Sequence, residues 1–287
     1  MFFYYNGNMK IVKSPLRYPG SKQKLCKVFS NILKYNDVKP KLFIEPFAGG
    51  ASVSLFMLQN NLTDTIALIE KDPLLASFWK TVFFDSEWLI KKIRNIDITI
   101  DNWKYYKKYQ PRSTRNKALK CLFLNRTCFS GILKGGPIGG LQQKSNYKID
   151  CRFNKDSLIH IIQTLAKYKN RVAFIEEGDY QNILNEQNHL INNDTFIYFD
   201  PPYVKKAKGL YNFYFLDKDH YNLKDYIQTL QINWLLSYDY APSLTDWYRT
   251  FSNTNLINIT YTAPTSHART ETKEFVASNL ELDFLLK

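Results

Sequence analysis

Four cysteines and four histidines in 287 residues leave little material for a metal centre. Cys26, Cys121, Cys128 and Cys151 form no C-x-x-C pair, and His160, His189, His220 and His267 lie far apart. Neither a structural zinc site, nor any other metal, nor a disulfide framework is therefore expected. No apolar run approaches the ~20 residues that cross a bilayer, so no membrane partner is expected. The first residues, Met1-Phe2-Phe3-Tyr4-Tyr5-Asn6, lack a basic start, a long apolar stretch and a small-residue cleavage site, which speaks against a secretory leader. Glycine is scarce too, at eleven residues, and none of it is spaced as G-x-G-x-x-G or G-x-x-x-x-G-K-[ST]. That excludes an ordinary dinucleotide fingerprint and a P-loop. The expectation is a soluble, reduced, intracellular chain. Its length corresponds to two domains at ~150 residues each.

Acids are the other shortage: 26 Asp and Glu against 39 Lys and Arg, a formal net charge of +13. Thirty of the basic residues are Lys in a chain rich in Asn, Ile and Tyr, so the surplus alone says little. Its distribution says more. Residues 104–155 hold 13 Lys and Arg and a single acid, Asp150, so nearly the whole net charge lies in one stretch. Tyr105, Tyr106, Tyr109, Phe123, Phe129 and Tyr147 are interleaved with these charges. Cations that neutralise phosphates beside flat rings that stack or wedge are the composition of a nucleic-acid surface.

Apolar spacing of three and four predicts helices over 22–35, 52–58, 74–84, 101–128 and 158–168. Short apolar runs predict strands at Leu42–Ile44, Thr65–Ile69, Val172–Ile175, Phe196–Phe199 and Trp234–Tyr238, with a closing pair at Ile257–Tyr261 and Phe275–Asn279. Strand, helix and strand in alternation make a parallel sheet, here interrupted by a basic helical insert. Gly131 to Gly140 holds five of the eleven glycines and reads as a loop.

Three strands end in an acid: Phe43-Ile44-Glu45, Leu68-Ile69-Glu70 and Tyr198-Phe199-Asp200. Ligands of open parallel sheets bind outside the carboxyl ends of the strands, so these acids line one crevice, and the Gly49-Gly50 turn lets a ligand approach the backbone. Asp239 ends a further strand in the same way. Asp200-Pro201-Pro202-Tyr203 carries the most information. Two prolines stop the strand and fix the backbone, and neither has an N–H. A carboxylate, a bare carbonyl and an aromatic ring within four residues suit a planar amine such as a nucleobase amino group.

With these residues in view, the chain resembles the Dam-type family of DNA adenine-N6 methyltransferases. Pro15-Leu16-Arg17-Tyr18-Pro19-Gly20-Ser21-Lys22 is similar to the family's N-terminal cofactor segment, and Phe43 to Ser52 to its main S-adenosylmethionine loop. Leu124-Asn125-Arg126-Thr127-Cys128-Phe129-Ser130-Gly131 is similar to the start of its target-recognition region, and Asp200 to Tyr203 to its catalytic motif. The four segments stand in the family's order and cover almost the whole chain. The resemblance implies an α/β fold: a class I methyltransferase (Rossmann-like) mixed sheet with helices on both faces, plus an inserted, mostly helical target-recognition domain. The catalytic domain would comprise 1–95 and 165–287, and the recognition domain 96–164.

The resemblance also implies roles. Asp200, Pro201, Pro202 and Tyr203 would grip a flipped adenine. Tyr18 and Lys22 would border the methionine part of S-adenosylmethionine, Glu45 and the turn Pro46, Phe47, Ala48, Gly49 and Gly50 would hold its backbone, Glu70 its ribose, and Asp200 would contact the cofactor as well as the adenine. Asp179 would meet the cofactor's adenine amine with Tyr180 against the purine. Arg126, Ser130, Lys134, Lys144 and Lys148 would meet double-stranded DNA. The reaction would be methyl transfer to adenine N6 within a restriction–modification system, with a cognate endonuclease that shares the site but forms no stable complex. Ser21 and Ala51 stand where the family more often has Gly, and Lys134 stands where relatives that read GATC carry Arg, so that specificity does not carry over. The residues leave other readings open: an RNA or protein-amide substrate, an N4-cytosine enzyme, or a DNA-binding regulator without activity. The chain has no Pro-Cys dipeptide, which speaks against cytosine-C5 chemistry. Arg269 and Glu274 read as a surface ion pair without function.

Overall fold

A computed structural model describes residues 14–17, 22, 25–203, 213, 215–251, 253–262 and 269–286. Tyr18, Ser21, Lys205, Lys206, Lys208 and His267 lie outside the described residues.

Among the described residues seven strands form one sheet: β1 (Leu42–Glu45), β2 (Thr65–Glu70), β3 (Val172–Glu177), β4 (Thr195–Phe199), β5 (Asn233–Asp239), β6 (Asn253–Thr262) and β7 (Arg269–Ser278). Their order is β3-β2-β1-β4-β5-β7-β6; β7 pairs antiparallel with both β5 and β6, and the other pairs are parallel. The expected closing pair is thus present, with the later strand lodged between β5 and β6.

The strands explain the two faces. Side chains alternate with a period of two, so Phe43, Ile66, Leu68, Phe196 and Tyr198 face one layer, while Ile44, Ala67, Ile69, Ile197 and Phe199 face the other. Both sets are apolar, as a sheet covered on both sides requires. The first layer contains α1 (Leu25–Tyr35), α2 (Ser52–Gln59), α3 (Pro73–Phe84), α4 (Ser86–Asn95), α6 (Thr114–Thr127) and α7 (Lys155–Ala166). The second contains α8 (Tyr180–Glu186), α9 (Asp217–Thr229) and α10 (Pro242–Trp247). This is the mixed sheet with helices on both faces that the resemblance implies. Helix α9 is hard to read from spacing because it buries only His220, Leu223 and Ile227, a narrow stripe that includes a histidine.

The basic stretch divides by depth. Helix α5 (Ile100–Lys108) buries nothing completely, whereas α6 buries Ala118 through Asn125 in the same core as α3. Phe123 is fully buried against Tyr106 and Phe153, so it offers no face to a base, contrary to the sequence expectation. Lys120 is buried as well, its ammonium donating to the Tyr109 carbonyl. Residues 128–152 form a turn and loop that bury Cys128, Ile138 and Ile149 but expose Phe129, Leu141 and Tyr147.

No helix among the described residues is long and apolar enough to cross a membrane.

Candidate active site

The carboxyl ends of β1, β2 and β4 open onto a cleft of about 200 Å³. Glu45, Glu70, Asp179 and Asp200 reach it from four separate strand ends or turns, and Lys22, Phe47, Ala48, Gly50, Tyr180, Pro201 and Pro202 line it with them. These residues span 180 positions of sequence, and the parallel sheet brings them together.

Glu70 ties two turns into one wall. Its Oε2 accepts the Gly49 N–H at 2.8 Å and its Oε1 accepts the Asp72 N–H at 2.9 Å. Gly49 needs its left-handed φ of 43° to present that N–H. Ala51 follows at φ 48°, a conformation that costs a β-carbon about 1–2 kcal/mol. Asp72 in turn caps α3 by accepting from Leu74 N at 2.8 Å. Glu45 is buried, and its Oε2 accepts both the N–H (3.0 Å) and the hydroxyl of Ser54 in α2. Burial outweighs these bonds and pushes Glu45 up to about 8 and Glu70 up to about 7.

Asp200 stands at the end of β4. Its Oδ1 lies 3.3 Å from the Lys22 ammonium, which also sits 2.8 Å from Glu274 Oε2 and 5.5 Å from the centre of the Tyr203 ring. Burial raises Asp200 to about 7; Lys22 opposes the rise, and Glu274 and Asp239 add to it. Burial disfavours the Lys22 charge, but Asp200 and Glu274 outweigh it and hold Lys22 well above an ordinary lysine. Glu274 is 2% exposed, so the surface pair expected from sequence is corrected to a buried contact with Lys22. An acid followed by Phe275-Val276-Ala277 in a strand was the available signal, since such an acid needs a partner to be buried.

Asp179 caps α8 by accepting from Gln181 N and lies 3.5 Å from Lys71. Tyr180 beside it packs on Phe47, with ring centres 5.1 Å apart. Phe213, Phe215, Asp219 and Asn222 also line the cleft, from a region that sequence spacing did not single out. Pro46 and Gly49 stand in the β1–α2 turn behind the lining.

The other flank is made by residues 131–133 and Asn125. Asn125 accepts the Arg17 N–H at 2.7 Å and donates to the carbonyls of Arg17 and Gly131, both at 3.0 Å. The N-terminal segment and the start of the loop are thereby joined. Ser130 sits between them at φ 54° and is half-buried. Lys134, Lys144 and Lys148 are exposed beyond it. Arg126 differs from its expected place on the surface. Its Nε donates to the Pro15 carbonyl at 2.7 Å and its Nη1 to the Arg152 carbonyl at 3.4 Å. Burial and the charges of Arg17 and Arg152 lower it to about 10, so it fastens the chain rather than lying open to a ligand.

Among the described residues no group of three or more His, Cys, Asp or Glu is arranged to hold a metal ion. The cleft instead fits a cationic, hydroxyl-bearing, partly aromatic ligand: carboxylates for an ammonium and for hydroxyls, rings for a purine, and a glycine turn that allows close approach.

The family model described as D12 class N6 adenine-specific DNA methyltransferase matches residues 18–263. The type II methyltransferase M.MjaIII of Methanocaldococcus jannaschii is 27% identical over 211 residues, 67% of this chain and 69% of that protein. The retron Ec67 DNA adenine methylase of Escherichia coli is 25% identical over 223 residues, 74% of this chain and 71% of its own.

Proposed function

The chain belongs to the D12 class of N6 adenine-specific DNA methyltransferases, and from that premise we propose how its residues carry out the reaction. The family's reaction uses S-adenosylmethionine and DNA. When bound, S-adenosylmethionine supplies a methyl group already activated on a sulfonium. Glu45 and the 46–50 turn would hold its amino-acid end together with Lys22, with Tyr18 assigned there by the resemblance alone; Glu70 would accept from the ribose, and Asp179 and Tyr180 would take the purine.

The target adenine turns out of the duplex at a cost of a few kcal/mol. Stacking on Tyr203, worth ~1–3 kcal/mol, offsets much of this. Asp200 and the Pro201 carbonyl would accept the two amine hydrogens, which would draw the N6 lone pair out of conjugation and orient it for transfer. Positive charge then grows on N6, the Asp200 carboxylate stabilises it, and the surplus proton leaves by way of that carboxylate. Pro202 keeps the Pro201 carbonyl fixed. The observation that carries this reading is the convergence of Asp200 and Pro201 with Glu45, Glu70 and Lys22 on one cleft at the carboxyl ends of the strands.

Double-stranded DNA is met by residues 128–152, within the stretch 96–164, where Phe129, Ser130, Lys134, Lys144 and Lys148 lie. The type II name of the archaeal relative supports a place in restriction–modification beside a cognate endonuclease, in a prokaryotic cytosol.

The test uses methyl-labelled S-adenosylmethionine, the purified chain and unmethylated genomic DNA, digested to nucleosides. Label in N6-methyladenine is expected, and sequencing the modified positions gives the site. Label in N4-methylcytosine, or none with cofactor binding intact, overturns the base assignment or the substrate.

A further inference from the structure

Lys22, Asp200 and Glu274 come from three distant parts of the chain: the segment before α1, the end of β4, and β7. Glu274 reaches the active end of the sheet because β7 runs antiparallel, which sets its earlier residues beside the carboxyl ends of the parallel strands. Glu274 pairs in register with Asp239, the last residue of β5. Its carboxylate takes the shorter contact with Lys22, 2.8 Å, and leaves Asp200 the longer, 3.3 Å. A simple ion pair needs one acid for one ammonium. Here two acids share Lys22, and one of them is the residue that grips the amine.

We propose that Glu274 is a positioning residue for methyl transfer: it draws the Lys22 ammonium off Asp200, so that the Asp200 carboxylate remains a strong acceptor for the adenine amine. The proposal rests on the reading of Asp200 given above. A carboxylate fully paired with an ammonium accepts weakly from a neutral amine, and one with no cation nearby is protonated by burial. Sharing Lys22 with Glu274 sets Asp200 between these limits. The groups facing Asp200 are Lys22, Glu274, Asp239 and Tyr203, with Glu45 and Tyr198 behind.

The test is single-turnover methyl transfer by the full chain at saturating S-adenosylmethionine and DNA, from about pH 5.5 to 9. Wild type is expected to lose rate on the acid side as Asp200 takes up a proton. Glu274→Gln gives Lys22 wholly to Asp200, so its acid limb moves down by about half a pH unit or more. Its plateau rate falls about ten-fold, and Glu274→Asp restores part of both. The double variant Lys22→Gln/Glu274→Gln removes both charges, so its limb moves the opposite way, to higher pH. That variant preserves charge balance and carries the test if Glu274→Gln does not fold. An unmoved limb in Glu274→Gln, or in the double variant, overturns the proposal even if rate is lost, because such a loss is merely structural. If Asp200→Asn is inactive while the limbs stay in place, this inference alone fails. If Asp200→Asn transfers at the wild-type rate, the reading of Asp200 fails with it.

Discussion

The indole N–H of Trp79 donates to the carbonyl of Gly49 at 2.8 Å. Glu70 holds the N–H of the same glycine, so the turn is gripped from both sides. Trp79 is fully buried in α3, and nothing in its local sequence marks it as part of a ligand site. Trp79→Phe keeps most of the packing but leaves a buried carbonyl unpaired, at a cost of about 1–3 kcal/mol. Urea unfolding is expected to register that loss. Calorimetric titration should show weaker S-adenosylmethionine binding, ten-fold for each ~1.4 kcal/mol that reaches the turn.

Asp200→Ala is expected to reduce methyl transfer by about 10²–10³-fold or more, as removal of one preorganised charge-stabilising group does elsewhere. Lys22 retains Glu274 in this variant, so binding of S-adenosylmethionine should stay within about three-fold of wild type. Labelled transfer and equilibrium binding, measured on one preparation, separate the two effects. Loss of binding in step with transfer would contradict the role given to Asp200.

The buried acids make stability depend on pH in an unusual direction. Glu45 at about 8, and Glu70 and Asp200 at about 7, all bind protons more tightly in the folded chain than in the unfolded one, where carboxylates titrate near ~4. The stability they contribute is fully present below the unfolded value and is lost as pH rises through the folded values. Lys22 stays charged throughout that window and does not reverse it. Scanning calorimetry of the ligand-free protein should therefore show Tm falling between about pH 5.5 and 8.5. Glu45→Gln should flatten the fall.

Gly131 adopts φ +77°, and a β-carbon there would meet the Arg17 carbonyl oxygen at 2.0 Å. Gly131→Ala must therefore push the N-terminal segment away and disturb the Asn125 bonds that hold both. A loss of about 2 kcal/mol or more is expected from the backbone strain and the clash combined. DNA methylation should fall more than S-adenosylmethionine affinity does, because the displaced residues form the flank nearer the loop of residues 128–152, proposed above to meet DNA. Urea melts and separate titrations with cofactor and DNA check this.

Phe129 is 58% exposed beside the strained Ser130, so removing its ring disturbs little packing. Phe129→Ala should change stability by no more than about 0.5 kcal/mol. If the ring stacks on DNA, the variant loses ~1–3 kcal/mol of binding, about 5- to 150-fold in Kd. A fluorescence anisotropy titration with duplex DNA at fixed salt reads the difference. An unchanged Kd would remove Phe129 from the DNA surface.

The elements around the cleft were legible because their signals are local. A strand such as Phe43-Ile44 needs only its own apolar residues to be read as buried. The acid that follows it falls at the carboxyl end because the strand stops there. The proline pair after Asp200 likewise needs no partner to fix its backbone. The basic run was legible as composition but not as surface: Phe123 and Lys120 face the core because α6 packs on α3, while Phe129 and Lys134 lie beyond the helix end.

Local sequence signals thus suffice for a parallel sheet whose strands deliver acids and a proline-stiffened turn to one edge. The sequence also concentrates the positive charge in one stretch, residues 104–155. What each charge does follows from contacts made in the folded chain. Arg126 turns inward to the Pro15 carbonyl, 111 residues away, and Lys22 is divided between Asp200 and a Glu274 that lies 252 residues away. The role of an ionised side chain depends on its burial and on the charges within a few ångströms, and in a sheet of mixed strand order those neighbours come from the far end of the chain.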